Sequence, residues 1–415
     1  MRLLVVTQYF WPENFRINEL VTELSCRGHE ITVLTGWPNY PEGRVFDVYR
    51  QNPSQYGCFV GTRVVRVPLL TRGRGGLRLI LNYVSFAASA SVLGAWKLRG
   101  QKFDAVLVYE PSPITVGIPG AVMRFFKRAP MALWVLDLWP DTLKAVGVVK
   151  SGRLLNAVGH LVSWIYRRCD LILAQSRSFE DQIALYAPKS INIKYFPAWA
   201  DEVFQQGRII EPNTAIPSAP GVFTVLFAGN IGEAQDFPSI LDAAERLGKR
   251  EDIRWIVVGD GRMLNWVSDQ IKRRNLTDKV LLVGRHPLER MPAFFAHADA
   301  LLVSLKDEPI FTMTIPGKMQ AYLGSGIPVL AMLNGEGADI VLEAEAGLVS
   351  PAGDGAALAQ NVIKLASMGE MDRVRLGENG RRFCVNQFDR STLISSLESW
   401  LQEMIARKHG LTETL

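Results

Sequence analysis

The chain has 415 residues, of which 48% are hydrophobic and 21% are charged. This composition excludes a disordered protein and leaves room for two or three folded domains. Four scattered cysteines form no CxxC pair, which excludes a disulfide framework and indicates a reducing compartment. Because the first apolar run is too short for a signal peptide, we expect a cytoplasmic protein.

The net charge of +5 conceals two halves of opposite sign. Residues 1–200 carry 24 Lys and Arg against 13 Asp and Glu, whereas the remainder carries 22 against 28. A basic first half predicts an anionic partner, either nucleic acid or a membrane surface. Its basic residues alternate with apolar runs rather than with exposed aromatic residues. This pattern favours an anionic membrane and argues against nucleic acid.

The first half of the chain alternates apolar strands with helical segments. A strand at 3–7, a helix at 15–27 and a strand at 30–35 predict a βαβ opening. The loop after the first strand contains no GxGxxG motif, so a dinucleotide is not expected there. Further strands are predicted at 62–67, 104–109, 131–136, 171–174 and 191–196, with a helix at 154–168. Asp137 follows the strand at 131–136, where it either faces a ligand or caps the helix over 138–147.

Residues 79–96 carry no charge and are long enough to reach the lower limit of a membrane span. Basic residues flank this segment on both sides: Arg72, Arg74, Arg78, Lys97, Arg99 and Lys102. Three structures are compatible with the pattern, namely a buried domain helix, a transmembrane helix and an interfacial helix. The flanking charges suit a helix that lies on anionic headgroups, but the sequence leaves all three open.

The second half restarts the strand and helix pattern after a linker. Residues 205–222 are rich in Pro, Asn, Ser and Gly, which predicts that linker. Strands are predicted at 223–228, 254–258, 280–283, 300–303, 329–331 and 347–350, and a last helix at 392–405. We therefore predict an α/β protein with doubly wound Rossmann-like domains at 1–204 and 223–388, followed by a C-terminal helix within 389–415.

Lys318 is the strongest candidate for an anion-binding residue. The turn Pro316-Gly317 opens a short predicted helix, whose first turn would attract an anion. A lysine in that turn is favourable only when an anion also binds there. The alternative interpretation is that the Lys318 side chain is simply solvated. No Asp-x-Asp occurs, and the five histidines are widely spaced, so no metal site is predicted. Lys318 and Arg285 are the positive groups expected to bind such an anion.

Several motifs at strand ends together resemble one known family. They are Gln8–Glu19, Asp137-Leu-Trp-Pro140, Gly229-Asn-Ile-Gly232, Gly259-Asp-Gly261, Pro316-Gly-Lys318, Gly326-Ile-Pro328 and Glu336-Gly337. On these motifs the chain resembles the retaining GT-B glycosyltransferases of family 4. It is most similar to the bacterial O-antigen and capsule group that includes N-acetyl-L-fucosamine transferases. The resemblance implies two Rossmann-like domains that face each other across a cleft.

The resemblance also implies roles for individual residues. Asp137, Lys318 and Glu308 are the expected catalytic residues. The expected donor-binding residues are Asn230, Gly259, Asp260, Gly261, Arg285, His286, Pro316, Gly317 and Gln320. The expected acceptor-binding residues are Glu13, Asn14, Asn39 and Asp141. Some of these roles have a simple structural alternative. Arg285 could be a surface charge, and His286 could be a histidine held in a turn. Residues 259–261 could form a plain turn.

The chain departs from the family pattern at several positions. Asn230 and Gln235 occupy the places of an arginine and a lysine that commonly hold the diphosphate. Ala321 stands where the family has the second glutamate of a Glu-x7-Glu pair, and Glu308 could stand for the first. Leu136 replaces the common histidine of the N-terminal domain. The usual ribose contact is therefore in doubt, and Lys318 is expected to compensate at the phosphates.

The implied activity is sugar transfer from a UDP-sugar to a lipid-linked saccharide acceptor. The donor is expected to carry a deoxy-N-acetylamino sugar, and the acceptor a polyprenyl diphosphate, in O-antigen or capsule synthesis. We expect no metal or cofactor, and peripheral association with the anionic inner-membrane surface. Two alternatives remain. A non-hydrolysing UDP-sugar 2-epimerase needs a carboxylate and histidine set that the sequence does not supply, and a periplasmic-type sugar-binding protein should carry a signal peptide.

Overall fold

The computed structural model describes residues 1–73, 76–145, 151–205, 216–408 and 410. These form two compact units, the first of Met1–Pro197 with Ser391–Leu415 and the second of Ala198–Arg390. The C-terminal helix therefore belongs to unit 1 instead of standing apart from both domains. The middle of the predicted linker, the end of the helix expected over 138–147, Arg74 and His409 lie outside the described residues.

Unit 1 is built on an eight-stranded sheet in the order β3-β4-β2-β1-β5-β6-β7-β8. Its strands are β1 Arg2–Val6, β2 Glu30–Gly36, β3 Cys58–Phe59, β4 Thr62–Val67, β5 Ala105–Glu110, β6 Met131–Val135, β7 Leu171–Ala174 and β8 Asn192–Tyr195. All neighbours pair in parallel except β3, which pairs antiparallel with β4 and was not predicted. Every residue of β5 and β6 is buried, as expected for central parallel strands covered on both faces.

Helices cover the unit 1 sheet, and one of them is held by a charged cluster. The α-helices are Arg16–Cys26, Asp47–Gln51, Gly76–Lys97, Gly117–Lys127, Asp141–Ala145, Gly152–Tyr166, Arg177–Tyr186 and Arg390–Lys408. In the last helix, the Glu398 carboxylate accepts a hydrogen bond of 2.6 Å from Arg27 Nη1. Its other oxygen lies 2.5 Å from His29 Nε2. These contacts fasten the C-terminal helix to the turn before β2.

Residues 79–96 lie within the helix Gly76–Lys97, whose turn Ala90–Gly94 is π-helical. One face packs on the domain through Asn82, Phe86, Ala87, Ala90 and Gly94, which are all buried. Among the described residues this helix is long and apolar enough to cross a membrane, but core helices meet the same criterion. The opposite face is exposed, so the helix is neither fully buried nor free of the domain.

Unit 2 has a six-stranded parallel sheet in the order β11-β10-β9-β12-β13-β14. Its strands are β9 Phe223–Ala228, β10 Ile253–Val258, β11 Val280–Gly284, β12 Ala300–Ser304, β13 Val329–Met332 and β14 Gly347–Ser350. Its α-helices are Glu202–Gln205, Phe237–Arg246, Leu264–Arg273, Met291–Phe295, Pro309–Thr312, Met319–Ser325, Glu336–Glu343, Gly355–Ser367 and Glu370–Phe388. The hydrophobic core lies between this sheet and helices such as Phe237–Arg246.

The strand order of both sheets reverses beside the first strand, between β1 and β5 in unit 1 and between β9 and β12 in unit 2. This is the doubly wound arrangement that the sequence predicted. In open α/β sheets, ligands bind beyond the carboxyl ends of the strands at such a reversal. The loops that follow β1, β5, β9 and β12 are therefore the places where functional residues should lie.

Candidate functional site

Loops at the carboxyl ends of β9, β10 and β11, with the segment after β12, line one pocket in unit 2. Its volume is about 720 Å³, which lies within the range of roughly 300–1,000 Å³ that is usual for small-molecule sites. The predicted residues that line it are Asn230, Gly259, Asp260, Gly261, Arg285, His286, Gly317 and Lys318. The structure thus gathers most of the predicted donor-binding residues into a single cavity.

Close approach of backbones explains the glycines in these loops. A Cβ atom on Gly259 would lie 1.8 Å from the carbonyl oxygen of Gly229. A Cβ atom on Gly261 would lie 2.3 Å from the carbonyl oxygen of Ile231. Gly229 and Gly259 also have φ values of 146° and 151°, which favour glycine. The loops after β9 and β10 therefore pack directly on each other and form the floor of the pocket.

Lys318 presents a buried ammonium group to this pocket. The residue as a whole is partly buried, but its Nζ is shielded from solvent and has no hydrogen-bond partner among the described residues. Nζ lies 3.6 Å from the centroid of the Phe227 ring. A Cβ on Gly229 would come within 3.0 Å of Nζ, so glycine leaves room for it. Burial lowers the pKa of Lys318 to about 7.

The other predicted residues of the pocket differ in how they are held. Arg285 is exposed. His286 packs its ring on Phe294 at a centroid distance of 4.5 Å, and its Nε2 lies 3.1 Å from the carbonyl oxygen of Val283. The histidine is therefore held by its own turn while it borders the cavity.

Three predicted residues do not line the pocket. Glu308 is exposed at the start of the helix Pro309–Thr312. Pro316 packs beside Gly337, whose Cβ position lies 3.1 Å from the proline ring. Gln320 is buried, because it belongs to the inner face of the helix Met319–Ser325. Their predicted roles find no geometric support in this cavity and stay predictions. That helix begins at Met319 and has only seven residues, so Lys318 precedes it as the N-cap.

In unit 1, Asp137 lies beyond the end of β6 and is partly buried. Its Oδ1 accepts a hydrogen bond of 2.5 Å from Thr142 Oγ1, and its Oδ2 accepts one of 3.2 Å from Trp139 Nε1. The Ser112 side chain is a further donor. Burial raises the pKa of Asp137, while these three donors act in the opposite direction. The backbone N–H of Leu138 is also a donor to this carboxylate, which therefore organises its own loop. Because the next helix begins at Asp141, Asp137 is not its N-cap.

The structure adds Glu110 and Tyr83 to this region, and sequence reasoning assigned a role to neither. Glu110 ends β5 and is fully buried. Tyr83 comes from the helix Gly76–Lys97 and packs edge-on against Trp139 at a centroid distance of 6.2 Å. A carboxylate that closes an otherwise apolar strand was visible in the sequence and could have identified Glu110. Tyr83 could not have been identified, because its helix is distant in sequence.

Two of the predicted acceptor residues meet at the loops after β1 and β2. Glu13 Oε1 accepts hydrogen bonds from the backbone N–H groups of Asn39 at 2.8 Å and Tyr40 at 2.7 Å. Its Oε2 accepts one from the backbone N–H of Phe10 at 3.2 Å. Burial raises the pKa of Glu13 to about 7, against the effect of these donors. Glu13 thus holds two loops together, and a direct contact with an acceptor stays a prediction.

The remaining acceptor candidates lie elsewhere. Asn14 is exposed. Asp141 lines a separate cavity of about 550 Å³ together with Lys144, His160 and Tyr186. The structure therefore does not place all four predicted acceptor residues in one site. Within the described ranges, no three His, Cys, Asp or Glu side chains lie close enough together to hold a metal ion.

Comparisons with known proteins agree with this architecture. Residues 14–199 match the family model described as a glycosyl transferase 4-like domain, and residues 222–368 match the model of glycosyl transferases group 1. Together with the two doubly wound sheets, these matches define the chain as a glycosyltransferase of the GT-B fold. The finer resemblance to the N-acetyl-L-fucosamine transferases stays a prediction.

Among curated proteins, a putative colanic acid biosynthesis glycosyl transferase, WcaI of Escherichia coli, is 25% identical over 345 residues, or 79% of this chain and 82% of that protein. A 2-deoxystreptamine N-acetyl-D-glucosaminyltransferase of Niallia circulans is 27% identical over 146 residues, or 35% of this chain and 36% of that protein. The solved structure of Anabaena HepE with UDP has a TM-score of 0.69 at 14% identity, covering 97% of this chain and 100% of that one. At this identity the structural likeness shows the fold.

The buried ammonium of Lys318 predicts a pH-dependent cost in stability. We expect Lys318→Met to raise the melting temperature of the ligand-free protein, because it removes a buried, unpaired charge. Since the pKa of Lys318 is lowered to about 7, the folded protein loses this proton at lower pH than the unfolded chain. The gain should be constant below pH 7 and should shrink as pH rises above 7. Thermal scans of both proteins across this range measure it, and equal melting temperatures at pH 6 would contradict it.

Proposed function

We propose that this glycosyltransferase moves a sugar from a UDP-sugar donor to a lipid-linked saccharide acceptor in the synthesis of a surface polysaccharide such as O-antigen or capsule. The observation that carries the proposal is the unpaired ammonium of Lys318 in the unit 2 pocket. A cation without a partner is costly in a protein interior unless an anion joins it. A diphosphate bound in this cavity supplies that anion.

The donor proposal combines the pocket with its relatives. Lys318 and the exposed Arg285 are positive groups of the cavity, and the loops after β9 and β10 bring backbone close to a ligand. HepE has been solved with UDP and with UDP-glucose. One curated relative is named as an N-acetyl-D-glucosaminyltransferase and another as an N-acetyl-α-D-glucosaminyl L-malate synthase. These names support an N-acetylamino sugar, and the motif resemblance favours a deoxy sugar of that class such as N-acetyl-L-fucosamine.

In the proposed mechanism, the chain stabilises the charge that develops on the leaving diphosphate. The Lys318 ammonium, once protonated, strengthens its interaction as the bond between sugar and phosphate breaks. In unit 1, Asp137 is the residue proposed to accept a hydrogen bond from a sugar hydroxyl group. With retention of configuration, as the family resemblance implies, the leaving phosphate takes the acceptor's proton. No separate general base is then required.

The acceptor proposal rests on an exposed apolar surface of unit 1. Its members are the outward residues of the helix Gly76–Lys97 and two neighbouring phenylalanines: Leu77, Ile80, Leu81, Val84, Val92, Leu93, Trp96, Phe125 and Phe126. We call this set the apolar surface. Lys127 Nζ donates to the carbonyl oxygens of Leu98 and Gln101, which places Phe125 and Phe126 beside the end of that helix.

Basic residues border the apolar surface. Arg78 is exposed in the first turn of the helix, and Arg72 precedes it with its guanidinium over the Tyr40 ring at 5.1 Å. At the other end, Arg99 lies over the Trp96 ring at 4.6 Å. Apolar side chains bordered by cations suit the interface of an anionic membrane. The buried inner face of the helix does not fit a span surrounded by lipid. We therefore propose a cytoplasmic enzyme that docks peripherally on the inner membrane, where a polyprenyl-diphosphate acceptor would lie.

A transfer assay tests the function. We expect UDP release from a UDP-sugar to depend on a polyprenyl-diphosphate-linked acceptor, with a new glycosidic product. Lys318→Met should weaken UDP binding by about 10- to 100-fold, since one charge-assisted contact contributes about 1.5–3 kcal/mol. Lys364→Ala, at an exposed lysine of the same unit, is the control. Epimerised UDP-sugar without UDP release would indicate the epimerase instead, and sugar binding without turnover would indicate a binding protein.

Metal independence is a separate prediction. The sequence has no Asp-x-Asp, and the proposed positive groups are side chains of the protein. We therefore expect the transfer rate to be unchanged after dialysis against excess EDTA. An activity that disappears on chelation and returns with Mg²⁺ or Mn²⁺ would show that a cation, rather than Lys318, meets the diphosphate charge.

Membrane docking can be measured with vesicles of phosphatidylglycerol. Binding should fall as salt rises, because surface charges are screened over about 8–10 Å. Replacing Arg72 and Arg78 with serine should weaken binding by about 2 kcal/mol, at roughly 1 kcal/mol per residue. Phe125→Ser with Phe126→Ser should weaken it even at high salt. Met371→Ser is the matched control, since this methionine is 88% exposed in unit 2. Retention that neither salt nor alkaline carbonate reverses would indicate a spanning helix.

A further inference from the structure

The last residue of β9, Ala228, lies where two strands of the unit 2 sheet separate. On one side, β10 pairs with β9 along its whole length, and Val258 lies opposite Ala228. On the other side, the register between β12 and β9 ends where Leu301 pairs with Leu226. Because the N–H of Gly229 donates to the Val258 carbonyl oxygen, the N–H and C=O groups of Ala228 point toward β12, beyond the end of that pairing. The strand end therefore needs another partner for these two groups.

The Tyr322 hydroxyl group supplies that partner. It accepts a hydrogen bond of 2.9 Å from the Ala228 N–H and donates one of 3.1 Å to the Ala228 carbonyl oxygen. A hydroxyl group can do both, because it carries a donor hydrogen as well as acceptor lone pairs. Tyr322 is 1% exposed, and its ring packs edge-on against Phe295 at a centroid distance of 5.6 Å. The side chain is thus fixed at both its ring and its hydroxyl group.

The same tyrosine lies one helical turn after Lys318. The N–H of Tyr322 donates to the Lys318 carbonyl oxygen at 3.0 Å. The two residues that flank Ala228 are those that surround the ammonium group. Nζ lies 3.6 Å from the centroid of the Phe227 ring, and a Cβ atom on Gly229 would lie 3.0 Å from Nζ. The backbone of Lys318 is therefore joined to Tyr322, and its ammonium contacts the segment that the Tyr322 hydroxyl group holds.

We propose that Tyr322 is a positioning residue for anion binding: its hydroxyl group fixes the end of β9, so that the Lys318 ammonium keeps its place in the unit 2 pocket. The inference deepens the proposed function and rests on it, since the diphosphate of the donor is the anion proposed to bind Lys318. Because the hydroxyl hydrogen is donated to Ala228, Tyr322 acts on the anion through the lysine rather than by donating to it.

Loss of the hydroxyl group would leave two buried backbone groups of Ala228 without their partner. Such groups are costly, so the strand end would shift or take up water. Either response gives Phe227 and Gly229 more freedom around the ammonium group. A cation that is held in place before binding loses less conformational entropy when the anion arrives. Tyr322 therefore contributes to anion affinity without a contact of its own.

The variant Tyr322→Phe removes the hydroxyl group and keeps the ring that packs on Phe295. We expect it to weaken UDP binding by about five- to tenfold, as for one lost hydrogen bond in a buried site. Inorganic pyrophosphate should lose the same factor, because the diphosphate is the part that it shares with UDP. Calorimetric titration with both anions measures this. Unchanged UDP affinity, or weaker UDP binding with unchanged pyrophosphate binding, would overturn the proposal.

A double-mutant cycle with Lys318→Met separates positioning from general packing. If Tyr322 acts through the lysine, Tyr322→Phe should weaken UDP binding by less than about twofold once the ammonium group has been removed, since both substitutions then act on the same interaction. Effects on the dissociation constant that simply multiply would show that the two residues act independently, and would overturn the proposal.

Two matched variants control for lost stability. Tyr166→Phe removes a hydroxyl group from a tyrosine of unit 1 that is also 1% exposed. Val267→Ala leaves a cavity in the hydrophobic core of unit 2, beside the helix Leu264–Arg273, and should lower the melting temperature. Both should retain the wild-type affinity for UDP. If Val267→Ala weakened UDP binding as much as Tyr322→Phe does, lost stability would explain the effect and the proposal would fail.

A readout without a ligand keeps this inference separate from the proposed function. Burial lowers the pKa of Lys318 to about 7. In protein made with isotopically labelled lysine, the Cε signal that is missing from Lys318→Met reports this titration in NMR spectra. Tyr322→Phe should raise the midpoint toward the ordinary value of 10.5, because a loosened strand end admits water to Nζ. An unchanged midpoint would overturn the proposal. A raised midpoint in a protein that binds no UDP would support the role of Tyr322 and contradict only the proposed function.

Discussion

The burial of the Lys318 ammonium group is the physical constraint on which the candidate site in unit 2 depends. Its Nζ lies over the Phe227 ring, shielded from solvent and without a described hydrogen-bond partner. The glycine at position 229 is what leaves space for it. Such a group is costly in a protein interior unless an anion joins it, which is the reason that we propose a diphosphate as its partner.

In unit 1, buried charges hold the loops that follow the strands. Glu13 accepts three backbone N–H groups from the loops after β1 and β2. Arg66 of β4 donates to the carbonyl oxygens of Gly36, Trp11 and Tyr56. The Glu13 carboxyl group therefore satisfies backbone N–H donors, and the Arg66 guanidinium satisfies backbone carbonyl acceptors, at the same edge of the sheet. Loops that carry unsatisfied backbone groups need such partners when they are buried.

The helix Gly76–Lys97 packs with one side on the loops at this edge of the sheet and exposes its other side on the surface of unit 1. On its inner side, Asn82 Oδ1 accepts from Gln8, its Nδ2 donates to the Leu70 carbonyl, and Tyr83 packs on Trp139. On its outer side, Leu77 and Trp96 are 72% and 61% exposed. One face of the helix thus packs toward the loop around Asp137, and the opposite face contributes to the apolar surface. That arrangement is why its composition resembles both a core helix and a membrane segment.

Local pattern was enough to predict both doubly wound sheets and every described strand except β3, because apolar runs and turn residues act over a few neighbours. It could not show that Glu13 binds backbone amides or that Gln320 faces the core, since both depend on how distant elements pack. The same limit explains why Glu110 was passed over. Glu110 becomes a neighbour of the loop around Asp137 only because β5 pairs with β6, where the backbone carbonyl of Glu110 accepts from the N–H of Leu136.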